Sequence, residues 1–226
     1  MMMGHSLCRL SLEEAMKSNV LCIMVLGTFL LAGCGSKNDA NEKNLSEATN
    51  AYLVKKGQLC LGLASKWPVD LQDSDRGRGI VRGSQMAALE KAGLVRSHEA
   101  ETEVMPLSGA RPVKVKVLRY ELTDDGKKFY QEKEAPGLIG QKESRGDICF
   151  GQQALDTVIK TEGPITVGDT KEMTLYYTYK IENLADWAKS PDVQNTFPGI
   201  VSTINGAGKT TLNQNLILTD HGWEAK

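Results

Sequence analysis

Residues 173–181 alternate without interruption, Met173, Leu175, Tyr177, Tyr179 and Ile181 interleaving with Thr174, Tyr176, Thr178 and Lys180. A period of two sends successive side chains to opposite faces, so this stretch predicts a β-strand with one covered face. Val113 to Leu122 opens with the same alternation, valine against lysine through Val117, and predicts a half-exposed strand. Gly163-Pro164 and Gly168-Asp169 mark turns, and Asn213 to Leu218 reads as a last strand ending at Thr219-Asp220. Helical signals are fewer. Ser84 to Ala92 places Met86 and Leu89 on one face, with Ser84 as a cap and Gly93 as a stop. Thr123 can cap a helix that opens with Asp124 and Asp125, acids favoured at the positive end of a helix. The expected class is α+β, with strands dominating the second half.

The N-terminal part has a different character. Met16-Lys17-Ser18-Asn19 precedes an apolar run from Val20 to Leu31, which ends in Ala32, Gly33 and Cys34. A basic start, a short apolar core and small residues before a cut form a secretory signal. Glu13 and Glu14 are out of place in such a basic region, so translation is expected to start at Met16. A run of about 12 residues falls well short of the roughly 20 that span a bilayer. The order Leu31-Ala32-Gly33-Cys34 resembles the lipobox of bacterial lipoproteins. That resemblance implies cleavage after residue 33, lipidation (palmitate among the acyl groups) at Cys34, and a membrane anchor. Gly35, where an aspartate would signal retention in the inner membrane, implies an outer-membrane lipoprotein facing the periplasm. Each buried CH₂ of such an anchor contributes about 0.8 kcal/mol. Residues 34–50 are polar, with Leu45 their only large apolar side chain, and read as a tether to a folded part that begins near Ala51.

Composition narrows the classes. Hydrophobic residues make up 41% of the chain and its net charge is −1, so no strong field points to nucleic acid or to an anionic membrane surface. Of the five cysteines, Cys34, Cys60 and Cys149 remain after cleavage. With Cys34 carrying lipid, Cys60 and Cys149 form the one pair open to an intramolecular disulfide in an oxidising compartment. Two buried free thiols fit the sequence as well, since cysteine packs as a small hydrophobe.

Three short strings recur in order. Gln58-Leu59-Cys60-Leu61-Gly62 is echoed by Asp147-Ile148-Cys149-Phe150-Gly151, Ala92-Gly93-Leu94-Val95 by Pro198-Gly199-Ile200-Val201, and Leu122-Thr123-Asp124-Asp125-Gly126 by Leu218-Thr219-Asp220-His221-Gly222. The recurrence predicts a degenerate duplication, with a first α+β domain at 51–131 and a second, strand-rich domain at 145–226. Glu132 to Ser144, containing Pro136, Gly137 and Gly140, reads as the linker.

The stretch from Ser84 to Tyr130 resembles a winged-helix domain. Met86-Ala87-Ala88-Leu89-Glu90-Lys91-Ala92-Gly93-Leu94-Val95 is followed by a polar wing-like loop and by Tyr120-Glu121-Leu122-Thr123-Asp124-Asp125-Gly126-Lys127. The resemblance implies a two-stranded wing on a small helical core, and the duplication implies a second copy in tandem. Such domains usually bind duplex DNA. A nearly neutral chain bound for the envelope lacks the electrostatic footprint of a duplex reader, despite Lys114, Lys116 and Arg119, so protein contact is the expected use and no nucleic acid is expected.

No pattern of catalysis stands out. Gly206-Ala207-Gly208-Lys209-Thr210-Thr211 lacks the first glycine of a phosphate loop, that position being Thr203, and reads as a turn. His98, placed in a polar loop, and His221, placed in a turn, have no neighbours at zinc-ligand spacing. Asp70, Asp73 and Asp75 lack the glycine and terminal glutamate of a calcium loop and read as an exposed turn balanced by Arg76 and Arg78. Neither a cofactor nor a metal is expected, and no catalytic residue is assigned. The expected function is an anchored, non-catalytic binding or scaffold module for an envelope protein. Its first candidate contact surface is the strand carrying Tyr176, Tyr177 and Tyr179. A tethered hydrolase, built around Cys149 and a histidine, and a small-ligand binder using a groove between the halves are the alternatives.

Overall fold

The computed structural model describes residues 36–72, 81–106, 109, 111–136 and 141–226. The signal segment, Cys34, Asp73 and Asp75 lie outside the described residues. The class is mixed α+β, with two antiparallel sheets.

Helix α1 spans Glu42–Lys56. The Asn41 side chain accepts from the backbone N–H of Asn44 at 2.9 Å and caps it, while Glu42 at the start and Lys55 and Lys56 at the end complement the helix dipole. Leu45, Thr49 and Leu53, four residues apart, bury one face. The expected tether of 34–50 is therefore corrected: its residues from Glu42 on are helical. Propensity alone would not hold them so; Leu45, fully buried, docks on a sheet that the local sequence cannot reveal.

That sheet has the order β1-β6-β7-β8-β9, from Gln58–Cys60, Lys142–Val167, Thr170–Glu182, Thr211–Thr219 and Gly222–Ala225. β5, Tyr130–Pro136, pairs with the first part of β6. Met173, Leu175, Tyr177 and Tyr179 of β7, with Leu216 and Trp223, form a core beneath α1. The expected linker at Glu132 to Ser144 is thus largely a pair of facing strands; cross-strand pairing from Tyr130↔Ile148 to Pro136↔Lys142 outweighs its turn-forming residues.

The second sheet, β2-β4-β3, comprises Val69–Leu71, Val113–Leu122 and Val95–Val104. Helix α2, Val81–Lys91, precedes it. The helix starts three residues before Ser84, whose hydroxyl donates to Val81 O from within the first turn instead of capping. Gly93 ends it at φ +75°, a left-handed conformation that suits glycine. Thr123 caps α3, Asp124–Phe129, accepting from the N–H of Gly126 at 3.0 Å.

The recurring strings do not recur as structure. Ala92-Gly93-Leu94-Val95 carries a helix into a strand, whereas Pro198-Gly199-Ile200-Val201 lies inside helix α5, Pro198–Gly206. Leu122 to Gly126 leads into α3, whereas Leu218 to Gly222 is the β8–β9 turn. Beyond β6 the chain is a strand meander broken by a 3-10 turn at Asp186–Lys189, α4 at Pro191–Thr196 and α5, so helix–wing order is confined to the first half. Both halves feed one core: Met86, Leu89 and Tyr120 pack with Ile148, Phe150, Val193, Phe197 and Ile200. The Trp187 ring meets Phe129 and Phe150 edge-on at 5.7 and 6.5 Å. By its internal contacts, Lys37–Lys226 forms one compact unit.

Candidate functional site

Cys60 and Cys149 sit opposite each other on β1 and β6 and are joined by a disulfide, closing 89 residues of chain. One wall of a cleft rises beside this bond. β1 contributes Gln58, Leu59 and Cys60, α2 contributes Val81 and Gln85, β6 contributes Phe150, and the start of α5 contributes Pro198, Gly199 and Ile200. Leu61, Thr196, Phe197 and Thr203 complete the lining of a space of about 470 Å³.

Each wall has a local cause. Gly151 and Leu59 pair across β1 and β6, and a register shift between Leu59 and Cys60 kinks β1 at the cleft. Pro198 suits the first turn of α5, where a missing N–H costs nothing. A Cβ built on Gly199 meets no atom within 4 Å, so this residue leaves open space above the floor. The side-chain amides of Gln58 and Gln85 make no hydrogen bond to another described residue, whereas Thr196 already donates to Asp192 O at 2.8 Å. The lining thus offers aromatic and aliphatic surface with two unengaged amides, and none of these thirteen residues is Asp, Glu, Lys, Arg or His.

Of the groups considered for chemistry in the sequence, Cys60 alone lines this cleft. His98 is not in a loop; it lies exposed on β3, opposite Arg119. His221 occupies the β8–β9 turn. Cys149 is bonded and offers no thiolate for nucleophilic attack. Asp70, on β2, is engaged by Arg119 through two hydrogen bonds of 2.7 Å. The Arg119 guanidinium holds the Asp70 carboxyl below its ordinary value. The two form a cross-strand pair, which corrects the expected exposed turn at Asp70. Among the described residues no group of three His, Cys, Asp or Glu side chains is placed to hold a metal. Gly206 to Thr211 joins α5 to β8, with Gly208 N–H donating to Tyr179 O at 2.8 Å. A helix enters this turn and a strand leaves it, the reverse of the helix N-terminus that holds phosphate.

The tyrosine strand divides by face. Tyr177 and Tyr179 are buried under α1, and desolvation raises the pKa of both phenols. The alternation put Tyr177 and Tyr179 on the apolar face, and burial removes both from the expected contact surface. Tyr176 alone looks outward, donating to Glu162 Oε2 at 3.0 Å beneath the Lys160 ammonium, 4.5 Å from the ring centroid. On the β3–β4 hairpin, Lys114 and Lys116 stand opposite Glu103 and Glu101, which leaves no uncompensated basic stripe there.

No family model matches the chain, and comparison with characterised proteins and with solved structures gives no match either. What fold and site define together is a mixed α+β protein with a cleft beside a disulfide whose described lining carries no charged side chain.

Proposed function

We propose that this protein is a bacterial lipoprotein, acylated at Cys34 and held at the outer membrane facing the periplasm, that serves as a non-catalytic binding module. Its binding site is the cleft beside Cys60–Cys149, and its ligand is a small uncharged molecule with apolar and hydrogen-bonding groups. The observation that carries this reading is the lining. At about 470 Å³ the space falls within the range of ligand pockets, roughly 300–1,000 Å³. General acid–base chemistry needs a titratable group within reach of the substrate, and none of the described lining residues supplies one. The α2, β3 and β4 assembly we read as winged-helix-like and used for protein contact, because the glutamates opposite its lysines cancel the charge that DNA would need.

Native mass spectrometry of the protein extracted from envelopes in mild detergent tests the cleft. The wild type should carry a small molecule that Gly199→Phe, which fills open space, has lost at unchanged melting temperature. Equal occupancy in both, or an empty wild type that no neutral saccharide or lipid stabilises, removes the cleft from the proposal. Palmitate labelling tests the anchor separately: wild type labelled and Cys34→Ala unlabelled and released from membranes is the expected pair.

A further inference from the structure

We propose that the tip of the β6–β7 hairpin, Pro164 to Val167, rests in the lipid surface to which Cys34 is attached; the inference rests on the lipoprotein reading. Three observations place the tip there. The first is the path of the chain. The Lys37 backbone packs on the β8–β9 turn, where a Cβ added to Gly222 would lie 3.1 Å from Lys37 O. Lys37 is only three residues from Cys34, and three residues span at most about 11 Å. An acyl chain on Cys34 therefore holds the β8–β9 turn close to the bilayer.

The second is register. Glu172 of β7 faces Ile217 of β8, and Thr219 pairs with Gly222. β7 begins at Thr170 and β8 ends at Thr219, so the turn at Gly168-Asp169 and the turn at Asp220-His221 project from the same end of the sheet. Three strand spacings separate β6 from β9, about 14 Å in all. Both turns can meet one plane.

The third is the surface of the tip. Ile165 is 61% exposed and Val167 52%, and Pro164 and Thr166 are exposed beside them. Their neighbours at this end carry both signs, with Asp169, Asp220 and Glu172 against Lys37, Lys171 and Lys226. Lys226 pairs with Glu172. No basic excess would draw the end to anionic lipid, so contact falls to the apolar residues, at the depth of the headgroup–acyl boundary. Membrane contact at this end leaves Lys209, in the α5–β8 turn at the opposite end, directed away.

The test uses the full acylated protein in phosphatidylethanolamine–phosphatidylglycerol vesicles, with Val167→Cys carrying an environment-sensitive fluorophore. The disulfide and the acylated Cys34 leave that thiol as the labelling site, and Lys209→Cys serves as the distal comparison. Label at 167 should shift to the blue and lose emission when nitroxide lipids are added, while label at 209 should do neither; Ile165→Cys should repeat the result. A palmitate-labelled, vesicle-bound protein whose positions 165 and 167 are no better quenched than 209 overturns the inference and leaves the lipoprotein reading standing. Absence of palmitate overturns both. A blue shift without lipid quenching, accompanied by a dimer mass, assigns the tip to a second copy of the chain and also overturns it.

Discussion

The two parts of β6 make an instructive contrast. Lys142 to Ile148 pair with β5 while Ser65 and Leu61 bond to Gly146 and Ile148 on the other edge, and Cys149 to Gln152 pair with β1; beyond Asp156 the strand pairs with β7 alone. Ile148 and Phe150 in the first part are buried, whereas Ile159, Ile165 and Val167 in the second are more than half exposed. The amino acids are similarly apolar. Burial follows the number of elements packed around a position, not the hydrophobicity of the position itself.

Unfolding measurements sharpen the contrast. Phe150→Ala should cost the most, about 3–5 kcal/mol in denaturant titration, because its ring is locked against Trp187 and the helical side of the core. Ile165→Ala at the free end should change stability by less than about 0.5 kcal/mol. Equal losses at the two sites would break the comparison. Cys149→Ser comes next, at roughly 2–4 kcal/mol, since the bond closes 89 residues of unfolded chain. On non-reducing gels the wild type should show a reducible mobility shift that the variant lacks. Leu45→Ala, about 2–4 kcal/mol by thermal melting, checks that α1 belongs to the fold; a change near zero would return residues 42–50 to the tether.

The Asp70–Arg119 pair contributes less than these buried positions and more than Ile165. Arg119 depresses the Asp70 carboxyl, so its contribution is present above the unfolded value near 3.8 and fades as pH falls through the lower folded value. Partial exposure reduces it, and Asp70→Asn should cost about 0.5–1 kcal/mol at neutral pH and nothing in strong acid. A loss that persists in acid would identify packing, not charge, as its source.

The elements legible in the sequence were those whose signal is local. Residues 173–181 and 113–117 alternate, and both lie in strands. The hydroxyl of Thr123 and the acids after it marked the start of α3, and Gly93 marked the end of α2. Ser84 was misread as a cap because the helix already includes Val81 and Arg82. β5 was hidden by Pro136 and Gly137, which argue for a turn until a partner strand is known. Of the cleft, Cys60 alone was singled out for its chemistry, while residues such as Gln58, Phe150 and Gly199 were noted only as parts of recurring strings. The strings were read as a duplication and not as one site, and Gln85 and Thr196 lie outside them, so no single window of sequence marked the cleft.

By itself the sequence determined the class, the positions of its alternating strands and the composition that leaves the cysteine pair two readings. These follow from side-chain direction and backbone preference over a few residues. The tertiary structure decided what covers the apolar face of β7, that both halves share a core, that Cys60 meets Cys149, and that a cleft with no charged side chain among its described residues lies beside them. Such outcomes depend on contacts between residues far apart in the chain, whose free energy exists only once the chain has closed on itself.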